Sequence, residues 1–346
     1  MSDAAWEILS EQAIAGAGVL YFVALLAHLA EWALLRQVPV AEREPALAGA
    51  GGPGAPDVPG DAAAPEVPDE GTARRTAMAA RLGLLLTCFA VVVHLVALVG
   101  RGMAAEPNRV PWGNMYEFTI SGTFVVAALY LLTRRRFGLA WMAPIVVGVV
   151  VTLLMIAVIW LHEPVAPLRE ALNSYWLVIH VVSAIIATGA FTLGGIASTL
   201  FLVKSRAERR GTVGPYLARV PDAAGLDRVA YRMHAFAFPV WTFAVLITGP
   251  IWAHEAWARY WNWDPKEVWA FITWVVYAAY LHARATAGWR GRNAAILALI
   301  GMATLWFNFI GINYFTSSMH SYADAPVAPT GVVQVVEPPG VPGVHV

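Results

Sequence analysis

The sequence predicts an all-α, polytopic integral membrane protein with about eight transmembrane helices. Hydrophobic residues make up 58% of the 346-residue chain and charged residues only 13%, whereas soluble domains carry about 25% charged residues. Apolar segments of roughly 20 residues recur along the chain, and this is the length at which a helix crosses a bilayer. Because the bilayer core offers no hydrogen-bond partner to an open backbone, we expect each segment to be helical.

Eight apolar segments predict the spans, at 14–35, 82–100, 116–133, 139–160, 175–203, 234–254, 267–285 and 294–314. Every second connecting segment is rich in Lys and Arg. The loops at 36–81, 134–136, 204–232 and 284–292 hold 18 of the 23 basic residues. Basic loops stay on the cytoplasmic side, so we expect both termini to lie on the external side. The membrane is expected to be the plasma membrane.

Composition divides the chain into four parts. A first transmembrane helix (1–36) is followed by a stretch rich in Pro, Gly and Ala (37–77), which predicts a disordered cytoplasmic linker because it has little apolar area to bury. A seven-helix domain (78–322) follows. The last part, 323–346, contains five prolines and predicts a disordered external tail.

Charge and cysteine usage exclude several classes of function. The net charge is zero, so no basic surface indicates a nucleic-acid partner. Cys88 is the only cysteine and lies in a predicted span, which excludes an internal disulfide or a thiol pair. The acidic N-terminus and the long first apolar segment give no sign of a cleavable signal peptide.

Residues 252–267 are the most unusual stretch, because four tryptophans fall between two spans. Indole is a flat, amphipathic ring that favours the level where hydrocarbon meets water. One or two such rings are typical of an interfacial belt. Four in one short external loop predict a surface for a large, flat, apolar ligand, formed by Trp252, Trp257, Trp261 and Trp263.

The end of this stretch predicts a helix start. Pro265 suits the first helical position, Asp264 then becomes the N-cap, and Glu267 falls where a capping box places its acid. Such a cap is worth about 1 kcal/mol. This local role explains residues 264–267 without any further function, but it does not explain the tryptophans.

Histidines are the informative polar residues, because ionisable groups inside a membrane are functional candidates. His180 and His320 are both predicted to lie on the same side of the membrane as the tryptophans. Two imidazoles beside aromatic rings there would suit a haem iron. A hydrogen bond from His180 to a neighbouring helix, and a solvated loop position for His320, fit equally well. His282 lies 15 residues after Glu267, about 22 Å deeper; it predicts either an inner iron site or an anchor at the basic interface.

Together these motifs resemble the haem-handling proteins with a tryptophan-rich WWD motif, in the CcsA/ResC branch of System II cytochrome c biogenesis, whose actinobacterial members are called CcsB. The similarity spans residues 78–322 and rests on five segments: Asn114–Glu117, Tyr175–Val181, Trp252–Trp274, Tyr280–Arg284 and Met319–Tyr322. His254, Met319 and the long insert after the first span depart from the family pattern.

The resemblance implies that His180 and His320 are the external axial ligands of haem b held at the WWD surface. His282 would be a transmembrane haem ligand, and a ResB-type membrane partner would supply the opposing histidine. His28 and His94, in the first two spans, are expected to be packing residues. The surface itself would comprise Trp252, Trp257, Trp261, Trp263 and Asp264.

The implied function is to carry haem b across the membrane and to present it for thioether attachment to the Cys-x-x-Cys-His segment of apocytochrome c. The chain would then be part of a cytochrome c synthase (haem lyase), and a thioredoxin-like protein would keep the apocytochrome thiols reduced. Two alternatives remain open: a haem exporter without attachment activity, and a haem-bearing structural subunit of a respiratory complex.

Overall fold

The structure, a computed structural model, describes residues 1–35, 70–166, 174–286, 288–316 and 318–319. Across these ranges the regular structure is helical throughout, which confirms the all-α prediction. The helices are α1 (Asp3–Leu35), α2 (Glu70–Met103), α3 (Met115–Phe137), α4 (Ala143–Trp160), α5 (Tyr175–Arg210), α6 (Ala223–Thr242), α7 (Gly249–Trp257), α8 (Pro265–Ala285), α9 (Arg292–Trp306) and α10 (Ile312–Phe315).

Two of the segments that connect successive helices are π-helices rather than loops. Residues Phe243–Thr248 join α6 to α7, and residues Phe307–Gly311 join α9 to α10. The chain therefore runs as one helix from Ala223 to Trp257 and as another from Arg292 to Phe315. A π segment is rare and is often found at a functional site, because it widens one turn of the helix.

The predicted spans correspond to helices of the structure. In the described residues seven helices are long and apolar enough to cross a membrane. The remaining predicted span, 267–285, is the 21-residue helix α8. Its Trp and Tyr side chains and its charged ends make it less apolar than the other seven, but its length suits a membrane crossing.

The boundary of the predicted linker is wrong at its end. Helix α2 begins at Glu70, so residues 70–77 are helical rather than disordered. The run Thr72–Ala80 consists mainly of Ala, Arg and Met, which are strong helix formers, so the helix continues beyond its apolar part. Residues 36–69 and the predicted tail, 323–346, lie outside the described residues.

The two largest hydrophobic clusters of the described residues form the core of the bundle. The first joins α1 to α4, with help from α5 and α6. The second joins α5, α6, α8 and α9 around Phe191 and Tyr277, whose rings stack at 3.7 Å. Small residues let α1 and α2 approach closely, as is typical of helices packed in a membrane; fully buried examples are Ala17, Ala24, Ala90 and Ala97.

The two ends of the bundle differ in character. The basic side carries Arg134–Arg136 at the end of α3 and Arg209–Arg210 at the end of α5. There Arg284 donates to both carboxylate oxygens of Asp227, at 2.7 and 2.9 Å. The opposite end, which we call the tryptophan side, carries residues 252–267.

A buried ion cluster holds the loops of the tryptophan side. Glu117, fully buried at the start of α3, accepts hydrogen bonds from Arg101 at 3.0 Å and from Arg109 at 2.6 and 3.2 Å. These arginines also donate to the backbone carbonyls of Glu163 and Ala166. The cluster therefore ties α2, α3 and the loop after α4 together, because a buried charge is tolerated only when it is paired and hydrogen-bonded.

Candidate functional site

A cavity of about 370 Å³ lies on the tryptophan side and extends toward the middle of the bundle. Helices α3, α4, α5, α7, α8 and α9 line it, mainly with Val, Leu, Ile, Phe and Trp side chains. Small-molecule sites are typically apolar cavities of about 300–1,000 Å³ with a few convergent polar groups. The polar groups here include His180, Lys266, Glu267, Asn308 and Asn313.

His180 reaches the cavity from the second turn of α5. Its Nδ1 lies 2.9 Å from the carbonyl oxygen of Ala244, in the first π segment. Because a carbonyl only accepts, Nδ1 carries the proton, and in the neutral ring Nε2 then holds the lone pair. The imidazole is nearly parallel to the Trp252 indole, with an interplanar angle of 11° and ring centroids 5.9 Å apart.

The four tryptophans of the predicted surface occupy different positions and do not lie in one plane. Trp252 is buried and Trp261 half-buried, and both line the cavity. Trp257 packs at 66° against Trp252, with ring centroids 4.8 Å apart. Trp263 is 75% exposed and stands at 86° to Trp261. Two of the four rings, those of Trp252 and Trp261, therefore line the cavity, and the other two do not.

The loop between α7 and α8 is turned sharply at both ends. Ala258 and Trp263 have positive φ angles of 58° and 57°. A left-handed conformation is costly for a bulky residue and tends to occur at functional sites. Tyr260 and Trp261, between these turns, are the loop residues that line the cavity.

Asp264 fulfils the predicted local role and has a second one. Its side chain caps α8 by accepting from the Lys266 N–H at 3.1 Å, and the capping box with Glu267 is complete, as predicted. The same carboxylate accepts from Ser318 Oγ at 2.6 Å and from the Met319 N–H at 2.9 Å. Asp264 therefore anchors the chain up to the residue before His320, which itself lies outside the described residues.

Polar atoms near the mouth of the cavity provide further recognition groups. Lys266 Nζ donates to Asn313 Oδ1 at 2.9 Å. Within the described part of the chain, Trp261 Nε1 and Asn308 Oδ1 are buried without a hydrogen-bond partner. Such atoms are rare in folded proteins, and each calls for an explanation. A ligand with polar groups at its edge would satisfy them.

The structure does not bring His282 to this cavity. It lies in the last turn of α8 on the basic side, and its side chain is exposed. His28 and His94 are buried between α1 and α2, where they contact Thr87 and Tyr21 respectively. Their packing agrees with the structural role expected for them.

His254 and Met319 belong to the tryptophan side. The His254 ring stacks on the exposed Tyr260 ring at 4.3 Å, and Met319 is exposed beside Asp264. Neither residue lines the cavity.

Sequence reasoning missed the Glu117 ion cluster and the Ala244 carbonyl. Arg101 and Arg109 lie outside the basic loops assigned to the cytoplasm, and an acid at the start of a span near two arginines is itself a signal of pairing. The Ala244 carbonyl had no signal, since every residue carries one and only the fold brings this one to His180.

A family model decides where the chain belongs. The model described as cytochrome C assembly protein matches residues 112–320, more than half of the chain. The chain belongs to this family. The matched segment contains α3 to α10, the cavity and both π segments, whereas α1 and α2 lie before it. It also contains His180, His282 and His320.

Relatives of the family agree with the CcsA-type resemblance. The chain is similar to the cytochrome c biogenesis protein CcsA of Chlamydomonas reinhardtii, with 37% identity over 225 residues, 63% of this chain and 62% of that protein. The CcsA of Synechococcus elongatus is 34% identical over 265 residues, 63% of this chain and 80% of its own. The CcsA of Mesostigma viride is 31% identical over 264 residues, 70% of this chain and 85% of its own.

Proposed function

We propose that this membrane protein acts in cytochrome c biogenesis by holding haem b on its tryptophan side and presenting it for attachment to apocytochrome c. The observation that carries the proposal is the setting of His180. One ring nitrogen donates to a backbone carbonyl, as is typical of metal-ligating histidines, and the ring borders an apolar cavity beside Trp252. The segment shared with the family contains all of these features.

The residues present suit haem as a substrate. Its macrocycle is large, flat and apolar, like the recess that Trp252 and Trp261 help to form. Its carboxylate side chains would be met by the Lys266 amino group and the buried N–H of Trp261. The iron would take a histidine nitrogen, which is the commonest protein ligand of haem iron.

His320 is the second proposed axial ligand. Asp264 binds the backbone of Met319 and the hydroxyl of Ser318, so the residue before His320 is held at the start of α8. Two imidazoles would retain the iron, and one of them must leave for transfer. We propose that the histidine of an incoming Cys-x-x-Cys-His segment replaces it.

Attachment itself is an addition reaction that needs positioning rather than an external oxidant. Each cysteine sulfur forms a bond to one vinyl carbon, and the thiol proton is delivered to the other carbon, so no electrons are lost. The contribution of the protein is to hold the reacting groups together. The chain offers a single thiol, Cys88 on α2, so a separate thioredoxin-like protein would keep the apocytochrome cysteines reduced.

His282 is proposed as an inner haem ligand at the basic side, where haem would enter. Its exposed position leaves the ring accessible to another membrane protein, and we propose that a ResB-type partner supplies the opposing histidine. The complex of the two would then be the cytochrome c synthase.

We also propose that the tryptophan side faces outward in a plasma membrane. The support is the charge distribution, because 18 of the 23 basic residues fall in the loops assigned to the cytoplasm. Single cysteines introduced at Trp263 and at Arg135, in a Cys88→Ser background, test the orientation with an impermeant maleimide on whole cells. Labelling at position 135 rather than position 263 would reverse it.

The ligand assignments are tested on the protein purified with its partner. Haem content and the absorption spectrum are recorded for the wild type and for His180→Gly, His320→Gly and His282→Gly. We expect the first two variants to lose the bis-histidine signal of the external site and the third to lose the inner one. If all three keep the wild-type spectrum, the assignments are wrong. If His180 and His320 prove dispensable while haem still crosses the membrane, the exporter alternative is favoured.

A further inference from the structure

The first π segment lies at the point where α6 passes His180. In this segment the N–H of Gly249 bonds to the carbonyl of Ala244, five residues earlier. The same oxygen accepts from His180 Nδ1 at 2.9 Å and from Thr248 Oγ1 at 3.1 Å. The π segment therefore places a hydrogen-bonded carbonyl opposite an imidazole on a different helix.

Gly249 is the residue that lets the ring come close. A Cβ built at Gly249 would lie 3.2 Å from both Cε1 and Nδ1 of His180 and 3.1 Å from the Ala244 oxygen. Those distances are tighter than ordinary van der Waals contacts, so a methyl group would push against both partners of the hydrogen bond. Glycine at this position permits the contact between the ring and the carbonyl.

We propose that Gly249 and the Ala244 carbonyl act as positioning residues that fix the orientation and the tautomer of the His180 imidazole for iron binding. The inference rests on the proposed function, in which the His180 imidazole is a ligand of the haem iron. The carbonyl holds the proton on Nδ1, so Nε2 is the nitrogen that offers a lone pair. The glycine leaves the space in which the ring can approach this carbonyl, and the Trp252 indole lies nearly parallel to the ring.

Fixing the ring before haem arrives has a physical benefit. A free histidine samples several rotamers and two neutral tautomers, and only some of these can ligate iron. A ring held by a backbone carbonyl is already in the form that binds, and its second hydrogen bond raises the basicity of the ligating nitrogen. Loss of such an outer contact typically weakens metal binding by about 10–100-fold.

The test compares Gly249→Ala with the wild type and with Gly148→Ala, all purified with the partner and loaded with haem. Gly148 lies in α4 and does not line the cavity, and an added Cβ would meet only Leu25 Cδ1 at 3.8 Å. We expect Gly249→Ala to retain haem about tenfold less well or worse and to regain a low-spin spectrum when free imidazole is added. We expect Gly148→Ala to match the wild type.

A second measurement needs no haem and does not depend on the folding of a variant. In the haem-free wild-type protein, ¹⁵N NMR of labelled histidine reports which ring nitrogen of His180 carries the proton. We expect Nδ1 to be protonated. A neutral ring protonated at Nε2 would overturn the inference.

The outcomes separate the two proposals. If His180→Gly keeps the wild-type spectrum, His180 is not a ligand and the proposed function loses its main support. If His180→Gly loses the signal while Gly249→Ala keeps both its haem and its spectrum, the ligand stands and the positioning role is wrong. A Gly249→Ala protein that imidazole does not rescue is misfolded at the site, and the NMR result then decides.

Discussion

His180 and His234 lie in the same pair of helices, α5 and α6, yet the two rings are held in opposite ways. His234 is fully buried among Phe191, Tyr277 and Tyr280, and its Nε2 lies 3.5 Å from Ser198 Oγ. His180 is half-buried, borders the cavity and donates to a backbone carbonyl at 2.9 Å.

Both rings face a glycine, and the two glycines show the difference most clearly. A Cβ at Gly194 would lie 2.6 Å from Cε1 of His234, well inside any real contact, whereas a Cβ at Gly249 would lie 3.2 Å from His180. The first glycine makes room for an enclosed ring, so it serves packing. Gly249 permits the hydrogen bond between His180 and the Ala244 carbonyl, beside the cavity. Under the proposed function, the ring that is hydrogen-bonded beside the cavity is the ligand, and the enclosed ring is a packing residue.

The largest effect is expected from the buried ion cluster that holds the loops on the tryptophan side, where His180 lies. Glu117→Gln leaves the buried Arg101 and Arg109 facing a neutral amide. Breaking a buried pair in this way costs about 3–5 kcal/mol. We expect a clear fall in the unfolding temperature measured in detergent.

The control for that change is Glu7→Gln. Glu7 is a third exposed and lies 3.8 Å from Arg101, so its pairing is weaker than that of the fully buried Glu117 and the loss should be no more than about 1 kcal/mol. Equal losses from the two variants would show that Glu117 does not hold the loops by charge.

Matched substitutions test the difference between His180 and His234 most directly. His180→Phe and His234→Phe each replace an imidazole by an apolar ring. We expect His180→Phe to retain haem about a hundredfold less well, because an iron ligand is lost, whereas His234→Phe should keep the wild-type haem content. Haem per protein in the purified complex, with the absorption spectrum, is the measurement. Loss of haem in both variants would place His234 in the site as well.

A smaller effect is expected at the glycine beside His234. Gly194→Ala forces a methyl group against a ring that Phe191 and Tyr277 enclose. Overpacking of this kind costs about 1–3 kcal/mol, so the unfolding temperature should fall. The folded fraction should keep a normal haem spectrum, the reverse of Gly249→Ala. A changed spectrum with normal stability would contradict the packing role.

The smallest effect is expected at Asp264, which binds the residues just before His320. Asp264→Asn keeps an N-cap for α8, because Asn caps as well as Asp, but an amide nitrogen in the place of Oδ1 cannot accept from the Met319 N–H. Losing one hydrogen bond to a charged group costs about 1.5 kcal/mol, or roughly tenfold in haem retention. Stability should change little. Haem retention equal to the wild type would separate Asp264 from the placement of His320.

Much of the fold follows from the sequence. The apolar segments predict the helices because the length of a span is set by the bilayer, and the capping box at Asp264 follows from residues three apart in the chain. The end of the linker was wrong because the Ala- and Arg-rich residues 70–77 extend α2 by local helix propensity, which hydropathy does not register.

What the sequence determined by itself is therefore the helical membrane class, the positions of the spans and the motifs that carry the resemblance to the family. Only the tertiary structure decided which histidine is enclosed and which borders a cavity, and that Asp264 reaches Met319. It alone paired Glu117 with two arginines and the His180 ring with the carbonyl of Ala244. The physical reason is range: propensity, hydropathy and capping act within a few residues, whereas these contacts join residues up to 64 positions apart, and only helix packing brings those residues together.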